Sequence, residues 1–219
     1  MKLIGSYTSP FVRKISVMLL EKGIAFEFVN DPPYESGSRV VELNPLAKVP
    51  VLVADDGAVF YDSRVIAEYL ELLSVAPAFL PADRAAALRI RQVEALADGV
   101  TEAAATLFRE SKRASEKQDE NWILRQRAKL THGLDALEKL AQEKTLLNTE
   151  TLTLADIATG CALGYLNFRR IMPNWCVERP ALIKLAERLF ARESFARTSP
   201  PDLPHPAAAG FCFMPRPLH

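Results

Sequence analysis

Lys48-Val49-Pro50-Val51-Leu52-Val53, the turn Asp55-Asp56-Gly57, and Val59-Phe60-Tyr61-Asp62-Ser63 form the stretch whose reading decides the fold. Val49, Val51 and Val53 are β-branched and alternate, so they read as a strand. Pro50 has no N–H to give a sheet ladder and belongs at a strand's first residue or edge. Sequence alone leaves the Val49–Pro50 bond open between cis and trans. Asp55-Asp56-Gly57 signals a hairpin turn, with Ala58 to Tyr61 as the return strand. Asp62 and Ser63 stand at a helix N-cap, ahead of Val65, Ile66, Tyr69, Leu70 and Leu73 at helical spacing. Free N–H groups and a hydroxyl at a helix start are a ready site for a carboxylate.

Upstream, Lys2 to Ser6 reads as a first strand, and Tyr7-Thr8-Ser9-Pro10 as the turn into a helix. Ser9 is a good N-cap and Pro10 fits the first helical position. Val12, Ile15, Leu19 and Leu20 share one apolar face, Gly23 closes the helix, and Ile24 to Val29 is a second strand. Asp31-Pro32-Pro33 breaks the chain, and Val40, Val41 and Leu43 suggest a short irregular helix that Asn44-Pro45 ends. Downstream the pattern turns helical. Ile90, Val93, Ala97, Val100, Ala104 and Leu107 mark one long helix, and Ile123, Leu130, Leu134, Leu137 and Ala141 a second. Glu110 to Asn121, highly charged, reads as a solvated turn. Thr153-Leu154-Ala155-Asp156 opens a third helix with a capping box, apolar nearly all round and therefore buried. Pro180 starts another.

The chain of 219 residues balances 27 Lys plus Arg against 27 Asp plus Glu. A neutral charge balance argues against nucleic acid or an anionic membrane as a bulk partner. No signal peptide and no spanning apolar run are expected. Cys161, Cys176 and Cys212 are scattered, without metal spacing, which fits a reducing cytoplasm. His132, His205 and His219 all lie far from the opening motif, so no zinc site or Cys–His dyad is expected there.

Lys48-Val49-Pro50-Val51-Leu52, the hairpin, and Asp62-Ser63 with Ile66 and Tyr69-Leu70 together resemble the glutathione-binding half of the glutathione S-transferase superfamily, in its bacterial serine type. The resemblance extends over roughly residues 1 to 200, closing on Glu193 to Thr198. It implies an α/β N-terminal thioredoxin-like domain (βαβαββα) at 1–75, a linker at 76–84, an all-α C-terminal helical domain at 85–199, and a Pro-rich tail at 200–219. It implies a cis Val49–Pro50 bond, strand-like pairing of the Val49 backbone with the cysteine of glutathione, and capture of the γ-glutamyl end by Asp62 and Ser63. Glutathione is then the co-substrate, without a metal, and a small electrophile the second partner. The protein is expected to be a cytoplasmic homodimer serving detoxification, with no nucleic-acid or membrane partner. Asp156 is structural in this family.

Glutathione chemistry needs a thiolate, and a thiol of pKa near 8.5 is only about 3% ionised at neutral pH. Lowering that pKa by about two units takes roughly 2.7 kcal/mol. A helix N-terminus supplies up to about 2 kcal/mol, and a hydroxyl donor much of the rest. Ser9, directly before Pro10-Phe11, matches the family's serine position. Thr8 and Tyr7 remain alternatives. No cysteine precedes Cys161, which argues against a thiol of the chain's own as nucleophile. Phe11, Leu107, Phe108 and Tyr165 are candidates for the acceptor site, with core packing the competing role. Trp175 and Cys176 are unplaced. Two other functions stand beside conjugation: glutathione-dependent reduction of disulfides or peroxides, and a transferase-like binding protein without turnover. The docking of Phe211, Phe213 and Met214 in a groove competes with a functionless tail.

Overall fold

A computed structural model describes residues 1–143 and 151–201. Two units emerge. The first comprises Met1–Leu80 with a returning segment that begins at Arg192; the second is Pro81–Ala191.

The first unit is a four-stranded sheet of order β2-β1-β3-β4, built from β1 (Lys2–Gly5), β2 (Glu27–Asn30), β3 (Val51–Val53) and β4 (Val59–Phe60). β1 runs parallel to β2 and antiparallel to β3, and β3 pairs antiparallel with β4. Helices α1 (Pro10–Glu21), α2 (Val40–Leu43) and α3 (Ser63–Leu72) complete the βαβαββα order. α1 ends where Gly23 takes φ +64 and the Ile24 N–H donates to the Leu19 carbonyl. That closure keeps Ile24 on the helix, so β2 begins at Glu27 rather than at Ile24. β3 likewise begins at Val51, because Ile4↔Val51 is the last ladder pair and Pro50 brings no donor. Val49 therefore lies just outside β3. The turn Asp55-Asp56-Gly57 forms as expected, with Gly57 at φ +86. α3 buries Ser63, Ile66, Ala67 and Leu70, spaced three and four apart, and leaves Val65 exposed.

α8 (Glu193–Arg197) belongs to this unit, packed on α1. The Arg13 guanidinium donates to the Phe195 carbonyl at 3.0 Å. Arg192 forks onto both carboxylate oxygens of Glu21, at 2.8 and 2.7 Å, and the Ser194 hydroxyl also donates to Glu21.

The second unit comprises α4 (Arg84–Glu110), α5 (Glu120–Glu143), α6 (Leu154–Arg169) and α7 (Pro180–Phe190). The charged stretch between α4 and α5 holds a single exposed 3-10 turn at Ser115–Lys117. α6 is the buried centre, packed chiefly on α4. Its capping box forms: the Thr153 N–H donates to Asp156 at 2.9 Å and the Asp156 N–H to the Thr153 hydroxyl at 3.3 Å. Asp156 is thus structural. Trp175 is fully buried, its indole N–H donating to Asn167 at 2.7 Å, which makes it core.

Cys161 is buried, and Cys176 is disulfide-bonded. Among the described residues no helix is long and apolar enough to cross a membrane, and no group of three His, Cys, Asp or Glu could hold a metal ion. His205, Cys212, Phe211, Phe213, Met214 and His219 lie outside the described residues.

Candidate active site

Sheet register brings three separate segments to one end of the first unit. β1 finishes at Gly5, β3 starts at Val51 opposite Ile4, and β4 finishes at Phe60 opposite Leu52. The N-terminus of α1, the Val49-Pro50 turn and the N-terminus of α3 therefore all follow from the same edge.

At α1, Ser9 is the N-cap, with extended backbone at φ −83 and ψ 122. Its Oγ accepts the Val12 N–H at 3.3 Å, which uses an oxygen lone pair and leaves the hydroxyl proton to be donated. The Ser9 backbone N–H is not available to a ligand, because it donates to the Ser6 carbonyl at 3.0 Å. Pro10 has no N–H, so the Phe11 N–H is the one helix-start donor left here. No acidic side chain sits in the first turn of α1 to compete for that end of the dipole. The two alternatives are otherwise engaged. The Thr8 hydroxyl pairs with that of Ser6 at 3.1 Å, and the Tyr7 ring stacks on Phe28 with centroids 4.7 Å apart.

Gly5 lets α1 approach this closely. A Cβ there would stand 2.5 Å from Val12 Cγ2, inside any tolerable contact.

At the second segment the Val49–Pro50 bond is cis. Pro50 is buried and Val49 half-buried. No partner within the described residues takes the Val49 N–H or carbonyl, so its backbone is free to pair with an extended peptide. Asn44, 1% exposed, shapes the approach to it. Its Nδ2 donates to the Lys48 carbonyl at 2.8 Å, and its Oδ1 accepts the Leu46 N–H at 3.0 Å. Reading the sequence gave Asn44 only a helix-ending role; the signal was Asn-Pro four residues ahead of Lys48-Val49-Pro50.

At the third segment Asp62 caps α3, its Oδ1 accepting the Arg64 N–H at 2.9 Å. Asp62 is exposed, so Oδ2 stays open to a cation such as an ammonium group. Ser63, the first helical residue, is 3% exposed. The Ser63 and Val65 N–H groups have no acceptor within the described residues, a place for a carboxylate at a positive helix end. The Tyr61–Asp62 bond is also cis.

A thioredoxin-like sheet with these three segments, followed in the chain by an all-helical unit, is the architecture of the glutathione-binding transferases. The family model for the glutathione S-transferase N-terminal domain matches residues 3–77, and that for the C-terminal domain residues 96–193. The chain belongs to the glutathione S-transferase superfamily. It is 57% identical over 201 residues to the uncharacterized GST-like protein YibF of Escherichia coli (strain K12), spanning 92% of this chain and 99% of the relative. Among solved structures it resembles a glutathione S-transferase from Methylobacterium radiotolerans in complex with glutathione sulfonate, at TM-score 0.86 and 36% identity, covering 95% of this chain and 98% of that one. A glutathione S-transferase from Methylobacillus flagellatus with GSH bound also aligns at TM-score 0.86, with 39% identity and coverage of 91% and 98%.

Proposed function

We propose that the protein is a glutathione transferase that conjugates reduced glutathione to small electrophiles. The observation that carries this reading is the Val49 backbone, unpaired in the chain and flanked at the same sheet edge by two capped helix starts. Val49 pairs with the cysteine of the tripeptide. Asp62 takes the γ-glutamyl ammonium, and Ser63 with its N–H takes the carboxylate. The sulfur rests at the start of α1, where the Ser9 hydroxyl donates to the thiolate and the Phe11 N–H and the helix dipole add to it. Ser9 does not remove the proton; it makes the ionised sulfur more stable, so the proton leaves to solvent at a lower pH. The thiolate attacks an electrophilic carbon, a C–S bond forms, and the leaving group departs with its electron pair. Two solved relatives hold glutathione or its sulfonate, which supports the tripeptide as ligand. The enzyme acts as a homodimer in detoxification, in a compartment such as the cytoplasm where glutathione is kept reduced.

Purified protein, incubated with reduced glutathione and in turn an aryl halide, a peroxide and a mixed disulfide, tests this. Thioether and halide release are expected. Consumption of the peroxide or disulfide alone replaces conjugation by reduction, and glutathione binding without turnover leaves a binding protein.

A further inference from the structure

α4 and α5 leave a groove between them that the thiol chemistry does not use. Ala95, Gly99 and Ala103 line it from α4, four residues apart and so on one face, and Gly133 lines it from α5. At Gly133 the helices touch, since a Cβ there would stand 2.5 Å from Val100 Cγ2. At Gly99 the reverse holds: an added Cβ would meet nothing within 4 Å, so the missing side chain leaves open space. The groove encloses about 570 Å³. Small-molecule sites span roughly 300–1,000 Å³.

Room alone names no ligand, but Gln126 does. It lines the groove and is only 3% exposed, yet its carboxamide bonds to no described residue. A buried amide left without partners costs free energy, so folded chains supply it with one. Its acceptor oxygen and donor nitrogen stand side by side, and their complement is a donor beside an acceptor. Lactams and nucleobase-like heterocycles carry that edge, which is how a glutamine reads adenine. Trp122 lies one turn before Gln126 on the same face of α5, roughly 6 Å along the axis. Its ring also lines the groove and is 43% exposed, a flat surface for an aromatic ligand to stack on. Glu102 and Lys129 face the groove with opposite charges, and neither is in an ion pair among the described residues. The Lys129 ammonium instead stands 5.8 Å from the centre of the Trp122 ring. One carboxylate against one ammonium favours a neutral ligand over an anion or a cation.

We propose that the α4–α5 groove binds a neutral, planar nitrogen heterocycle of the lactam type. Its ring stacks on Trp122, its N–H donates to the Gln126 amide oxygen, and its carbonyl accepts from the Gln126 amide nitrogen.

The test uses the full chain and a matched pair, 2-quinolinone and N-methyl-2-quinolinone, which keeps the ring and carbonyl but lacks the donor. Tryptophan fluorescence and calorimetry follow binding. The first probe should bind saturably and about tenfold more tightly than the second, with no dependence on salt. Gln126→Leu keeps the bulk and should erase the preference between them. Trp122→Phe should abolish the fluorescence response, because the remaining Trp175 is fully buried. Gly99→Leu fills the open space from an exposed position and keeps the question answerable if Gln126→Leu fails to fold; it should block both probes. Equal affinity for the two probes would overturn the proposal, as would a preference unchanged in Gln126→Leu or binding unchanged in Gly99→Leu. A wild type that binds neither probe, with a dimer that Gly99→Leu splits, would give the groove to a second copy of the chain and overturn it too.

Discussion

The Lys22 ammonium lies 2.9 Å from the Glu71 carboxylate, with the two side chains 1% and 13% exposed. Lys22 also donates to the carbonyls of Val75 at 2.8 Å and Pro77 at 2.7 Å, while Glu71 accepts the N–H groups of Phe79 and Leu80. The pair ties the end of α1 to the segment that leaves α3. Removing one member strands the other, so Lys22→Met should cost about 3–5 kcal/mol, and Glu71→Gln, which keeps an acceptor, about 1–3 kcal/mol. Urea unfolding of both variants and their double mutant checks this. A double mutant as costly as the two singles added together would deny the coupling.

Ser9→Ala should do two separate things. Loss of the cap should cost about 0.5–2 kcal/mol of stability. Loss of the donor should raise the pKa of bound glutathione, and once that pKa exceeds the working pH each further unit lowers the thiolate fraction by about tenfold. Thiolate absorbance of bound glutathione against pH, compared with Thr8→Ala and Tyr7→Phe, reads the second effect. A titration moved only by the Thr8 or Tyr7 variant would transfer the role.

Asn44→Ala should weaken glutathione binding without touching the ligand. It leaves the Lys48 carbonyl and the Leu46 N–H unbonded in a buried turn, a loss of about 1–3 kcal/mol. Asn44→Asp sets an acceptor against the Lys48 carbonyl and should be no better. Calorimetric titration should show a raised Kd, with the pKa of the bound thiol unmoved. An unchanged Kd in both variants would make Asn44 a bystander.

Glu21 supplies a pH signature. Its hydrogen bond from Arg192 holds its carboxyl below the ordinary 4.5, with burial opposing and Ser194 assisting. A lowered folded-state pKa means stability that is complete above the unfolded value and fades as pH falls through the folded one. Arg192→Met should therefore be destabilised relative to the wild type at pH 7, and the gap should close in acid. Melting temperatures measured from pH 7 down to pH 3 would show it. A constant gap would assign the loss to packing instead.

The parts legible in the sequence are those made by neighbours. The caps at Ser9, Asp62 and Thr153, the Gly57 turn and the buried α6 all depend on residues within a few positions, so propensity and spacing announce them. Asn44, Lys22, Gln126 and Arg192 were not legible in the same way. Asn44 acts across four residues, but through a turn with no pattern of its own. Lys22 reaches Val75 and Pro77, 53 and 55 residues away, and Arg192 reaches Glu21 across 171. Gln126 faces a groove that another helix completes. Such pairings are set by packing, and no local periodicity records them.

The return of α8 to α1 also has a consequence for synthesis. Domains ordinarily fold as units while the ribosome is still working. Here the Leu80 end of the first unit emerges well before Arg192, and at about 5–20 residues per second the interval is roughly 6–22 s. Through that time Arg13 and Glu21 wait for partners not yet made. The unit that carries the site is thus begun first and finished nearly last, and a nascent chain stalled inside the helical unit exposes an α1 that the finished protein covers.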